Sequence, residues 1–161
     1  MTYSSKRTII TMVSGVFLII AYCMYARGGS APAPEDLKSW ALSMLVFIGI
    51  GVLLTIIIQV LFYIGYSIGI SVKENESDSK KVDRIMKSLM LEDERDKLIG
   101  LKSAHLGYIC AGAGFIAALA LLAFGMQAVT ALHVIFGSFA AGSIAEGILG
   151  VYLHERGVRN G

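Results

Sequence analysis

The sequence predicts an all-α integral membrane protein, a four-helix bundle with both termini in the cytoplasm. Three observations carry that prediction. The mean hydropathy is +0.68 and 55% of the residues are hydrophobic. Only 16% of the 161 residues are charged, against about a quarter in soluble domains. The charges gather in short stretches separated by four apolar runs, each reaching the roughly 20 residues that a helix needs to cross a bilayer core of about 30 Å. This composition excludes a secreted disulfide scaffold, a disordered tail and a free-standing soluble enzyme. The 14 basic and 12 acidic residues are too evenly balanced for a nucleic-acid partner.

The first run covers about 8–26 and follows Lys6 and Arg7. It is longer than the about 7 to 15 apolar residues of a secretory signal, and Arg27 interrupts the approach to Ala31-Pro32-Ala33, so it reads as a retained membrane helix. Between Arg27 and Lys38, Ala31-Pro32-Ala33-Pro34 favours extended backbone. Glu35 and Asp36 then stand where carboxylates suit the positive end of the next helix.

The second run, 40–72, has 33 residues, or about 50 Å of helix, more than a bilayer core requires. It must tilt or project, and Tyr63, Gly65, Tyr66 and Gly69 mark the level at which it leaves. The third run, 104–126, and the fourth, 130–153, are separated by so few residues that they form an antiparallel hairpin. Threading four helices puts every lysine and arginine except Arg27 and Lys38 on one side. Positive charge is retained inside, so that side is the cytoplasm and the chain is a multi-pass protein of the plasma membrane.

The cytoplasmic segment, 73–101, holds a polar stretch and then Val82, Ile85, Met86 and Leu89, one apolar stripe on a helix over about 81–91. That helix is expected at the headgroups, with a docking face for a cytoplasmic protein partner as the alternative. Glu92, Asp93, Glu94, Arg95 and Asp96 follow directly. Consecutive positions cannot all face one ion on a helix, and a calcium loop needs glycine and regular spacing, so these acids are expected to cap the third helix and to pair with Arg84, Lys97 or Lys102.

Asp93, Glu94, Arg95 and Asp96, with Ile99 three positions on and Gly107-Tyr108 in the next helix, resemble a group of small prokaryotic four-helix membrane proteins that has no established activity. The resemblance covers the last 70 residues or so in sequence and the first half in layout. It implies a regulatory or envelope-stress role, since such proteins are often encoded beside small helix-turn-helix regulators.

The candidate sites are few. Glu146 lies about seven residues from the inner end of the fourth run, where an ionised carboxylate facing lipid costs several kcal/mol. Gln59, Tyr63, Tyr66 and Tyr108 fall at comparable depth and are expected to surround it as a polar cluster. Ser138, Gly142 and Gly150 recur on one face of the fourth run, and Gly107, Ala111 and Gly114 on the third. Faces of small residues let helix backbones approach closely in lipid, either within the hairpin or across a homodimer seam.

Cys23 and Cys110 differ in depth by about 13 Å and read as packing residues. His105 and His154 share the inner level and His133 the outer, without metal-ligand spacing. No catalytic or phosphate-binding motif occurs, so neither an enzyme nor a metal or other cofactor is expected. The reading is a non-enzymatic accessory or regulatory membrane protein that senses or relays envelope state. A small oligomeric transporter or channel using Glu146 is the alternative, and the lipid bilayer is the one partner common to both.

Overall fold

The computed structural model describes residues 3–73 and 94–156. They form four α-helices, α1 (Tyr3–Arg27), α2 (Leu37–Lys73), α3 (Glu94–Ala123) and α4 (Ala128–Arg156). No strand occurs among the described residues. All four helices are long and apolar enough to cross a membrane. The amphipathic stripe over 81–91, together with Arg84, Glu92 and Asp93, lies outside the described residues.

Local chemistry explains the helix ends. Asp36 caps α2: its carboxylate accepts the Ser39 N–H at 3.0 Å and the Ser39 hydroxyl at 2.6 Å, satisfying a donor that the first turn leaves without a partner. These two bonds, the hydroxyl's first, hold the Asp36 carboxyl below its ordinary range. At the end of α3, Gly125 N–H donates to Leu122 O and Met126 N–H to Leu121 O, both at 3.0 Å, with Gly125 at φ +78°. That is a Schellman closure, whose left-handed residue is nearly always glycine. It turns the chain into α4 within four residues and makes α3 and α4 an antiparallel hairpin.

Within the hairpin the small residues set the separation. A methyl group at Gly142 would come within 2.8 Å of the Gly107 carbonyl oxygen, and one at Gly114 would collide with Ser138. Gly150 meets the side chains of both Ser103 on α3 and Thr8 on α1. Ala111 is half-buried. On its next face α4 takes α1, where Met12 fills the space over Gly147. Leu18 of α1 packs into Gly51 of α2. Thus, among the described helices, α4 touches all three others, α1 joins α2 to α4, and α3 makes its substantial contacts with α4 alone.

At the end of the bundle that carries the α1–α2 and α3–α4 connections, the three helices α1, α2 and α4 close on an aromatic cluster. Tyr22 packs on Phe47 and Phe136, with ring centroids 5.1 and 4.5 Å away, and Trp40 packs on His133 at 4.5 Å. Trp40 Nε1 donates to Ala33 O at 3.0 Å, tying the proline-containing loop to α2. Large apolar side chains elsewhere point outward, Leu45, Val52, Ile56 and Leu61 of α2 among them, as a lipid solvent permits.

The largest difference from the sequence expectation is at the start of the third helix. The third helix starts at Glu94, ten residues before Ala104, so Glu94 and Asp96 occupy its first turn and Gly100 and Leu101 are helical rather than part of a separate segment. α2 runs unbroken through Gly65 and Gly69 to Lys73, in keeping with the single run expected over 40–72. Glycine costs about 1 kcal/mol in a helix, too little to end one that its flanking apolar residues sustain.

Candidate functional site

Two polar features stand out against the apolar helices. The first is a clasp at the open end of the α3–α4 hairpin, opposite its connection. His154 Nδ1 lies 2.7 Å from Gly150 O on its own helix. A carbonyl can only accept, so Nδ1 carries the proton. Nε2 then faces Asp96 Oδ1 of α3 at 3.4 Å, with the His154 side chain only 9% exposed. Nε2 is buried and makes no hydrogen bond of good geometry; the contact with Asp96 is an ion pair when the imidazole is protonated. Beside it, the Arg95 guanidinium donates to His154 O at 3.3 Å, a cation on a carbonyl in the last turn of α4. Ile99, one turn on from Asp96, is 1% exposed and anchors this start of α3 in the protein.

The clasp gives Arg95 and Asp96 a use that their sequence pattern did not disclose, and it draws in His154. Glu94 opens the same turn and is exposed, and Lys97 and Lys102 are exposed as well. The signal available was the antiparallel hairpin itself, which brings the beginning of α3 level with the end of α4. His105 is exposed and takes no part.

The second feature is Glu146. Its Oε2 lies over Gly107 of α3, 3.1 Å from where a methyl group on that glycine would be. The residue is exposed, and it makes no hydrogen bond or ion pair among the described residues. The polar cluster expected around it does not assemble. Gln59 instead accepts a hydrogen bond from Arg7 at 3.0 Å, and Tyr66 stacks beneath Lys6, 5.7 Å from its ring centroid, beside Phe62. Tyr63 is half-buried on α2, and Tyr108 is 76% exposed on α3. The physical reason is neighbourhood: α2 packs on α1 and, less, on α4, and α1 begins early enough to carry Lys6 and Arg7 alongside the C-terminal half of α2.

Neither feature assembles a reaction centre. Among the described residues no three His, Cys, Asp or Glu side chains converge as a ligand set. Cys23 and Cys110 are free thiols, Cys23 exposed and Cys110 packed against Gly142. Comparison with protein-family models, with curated proteins and with solved structures gives no match.

Proposed function

We propose that this protein is a non-enzymatic accessory or regulatory component of the plasma membrane, with cytoplasmic termini, that relays the state of the envelope through its cytoplasmic segment. The observation that supports the reading best is the clasp. The Asp-Glu-Arg-Asp stretch does not hang free of the membrane helices, because from Glu94 onward it is the first turn of α3. Arg95 there holds the last turn of α4 through the His154 carbonyl, and Asp96 holds it through the imidazole when that ring is protonated. A force or partner acting on the segment that enters α3 therefore bears directly on the hairpin, and a tilt of α3 against α4 moves that segment. The resemblance to small four-helix membrane proteins associated with regulators points the same way.

Cross-linked capture from native membranes tests this. A protein recovered with the unaltered chain should be lost or much reduced with Asp96→Ala and with His154→Ala, while both variants still insert. Capture unaffected by either substitution would overturn the relay.

The exposed, unpaired Glu146 favours a second reading, an oligomeric transporter or channel in which that carboxylate meets a proton or cation. Ion or proton flux into vesicles containing the purified protein, abolished by Glu146→Gln, would establish it in place of the first.

A further inference from the structure

Two polar groups stand uncovered in the membrane-spanning part of the hairpin, and they are complementary. Glu146 offers an acceptor and Tyr108 a donor, and neither has a hydrogen-bond partner among the described residues. They are at one depth, because Glu146 lies over Gly107, the residue before Tyr108. They are also on one side of the hairpin. Gly107 and Gly142 mark the line along which α3 and α4 meet. At 100° per residue, Tyr108 is turned about 100° from Gly107 and Glu146 about 40° from Gly142 in the same sense. In antiparallel helices, positions turned in the same sense lie on the same side.

That side has a definite shape. Gly142 faces α3 and Gly147 faces Met12 of α1. In rotation Ser143 and Glu146 fall between the two, both exposed. They therefore sit on the floor of a cleft walled by α1 and α3, which come together only near Gly150, where Thr8 and Ser103 both reach 3.5 Å. Next to this cleft the outer edge of α3 presents Tyr108 and Phe115, exposed by 76% and 52%. α3 has one substantial neighbour among the described helices, and this edge is where a second would pack.

We infer that a second copy of this chain covers this side, related by a two-fold axis along the membrane normal, with Tyr108 of each copy donating to Glu146 of the other. Such an axis preserves depth, so groups that are level in one copy are level across the interface. The contact is isologous: one operation satisfies both orphan groups twice over and sets each α3 edge into the other's cleft. A different membrane protein would have to bring its own acceptor and its own donor at the same level. This inference is independent of the relay and of any transport.

Cross-linking with a bismaleimide in native membranes tests it, in a Cys23→Ser, Cys110→Ala background. Ser143→Cys should give a cross-linked dimer of the chain, and Ile148→Cys, exposed but turned about 140° away on α4, should not. Tyr108→Phe and Glu146→Ala should each lower the trapped fraction by about tenfold, whereas Glu146→Gln, still an acceptor, should retain it. Co-expressing Tyr108→Phe with Glu146→Ala under different tags should restore a mixed dimer, because one of the two bonds survives only in that pairing. Trp40 emission, unchanged in each variant, shows that the bundle is intact. Equal trapping at both cysteine positions, no rescue in the mixed pair, or Ser143→Cys trapped only to an unrelated protein would overturn the inference.

Discussion

Ser138 occupies the space over Gly114 so fully that a methyl group on the glycine would overlap its side chain. The spacing of α3 and α4 is set there and at Gly142, where the obstacle is backbone, the Gly107 carbonyl. Gly114→Ala and Gly142→Ala should therefore each destabilise the protein by about 1–3 kcal/mol, the usual cost of forcing extra volume into packed helices. Gly49 and Gly65 of α2 have open space where a Cβ would project, so alanine there should stabilise the helix by about 0.5–1 kcal/mol. Unfolding in mixed micelles compares the four, and equal losses at all of them would show that the hairpin is not held by close approach.

Tyr22 is 7% exposed, and its hydroxyl is buried with no hydrogen-bond partner among the described residues. Removing an unsatisfied buried hydroxyl relieves a desolvation cost, so Tyr22→Phe should stabilise by about 1 kcal/mol. Tyr22→Ala should destabilise by about 3–5 kcal/mol through the cavity it opens beside Phe47 and Phe136. A thermal shift in detergent distinguishes the signs, and a loss with phenylalanine would mean that the hydroxyl is bonded.

The cap on α2 carries a pH signature. Asp36 accepts two hydrogen bonds as a carboxylate, and its folded pKa lies below the ordinary aspartate value of 3.8. Its contribution is therefore fully present above that value and is lost as pH falls through the depressed one. Trp40 is the single tryptophan, its N–H closes on Asp36 O at 3.1 Å, and it is 6% exposed. Its emission should be steady above the aspartate range and shift to the red in stronger acid. Asp36→Asn should weaken that acid response, and an identical response in this variant would place its origin elsewhere.

Topology is checked by labelling. With both native cysteines replaced, a cysteine at Ala33 should react with an impermeant maleimide in intact cells, and one at Gly100 only after lysis. The charge asymmetry behind this expectation is large, since Arg27 and Lys38 alone flank the outer loop. Reaction at Gly100 from outside would reverse the orientation.

The parts of this architecture that were legible in the sequence are those that lipid dictates. Apolar runs had to become helices, and the short 124–127 connection had to make neighbours of α3 and α4. Small residues on both helices of that pair, Gly107, Gly114, Ser138 and Gly142, then had one obvious place to go. Neighbourhood between helices with longer connections leaves no such mark. Gln59 was expected beside Glu146 from depth alone, yet Arg7 holds it, because depth does not say which helix stands alongside. The clasp was hidden for another reason: the charges of Glu94 to Lys97 and Lys102 end an apolar run without ending a helix, so α3 extends past the apolar stretch and carries Asp96 to His154.

The position of α4 has a consequence for how the molecule is made. Of the four described helices it is the last to leave the ribosome, and it is the one that touches the other three. Until it inserts, α3 has no substantial partner among the described helices and α1 has only α2. The glycine face of α3, with Asp96 and Ser103 near its start, must wait for the 29 residues of α4. Most of the tertiary structure is thus acquired in one late step, and a chain halted before Ala128 presents to the quality-control proteases of the membrane an α1–α2 pair and an α3 with little to hold it to them.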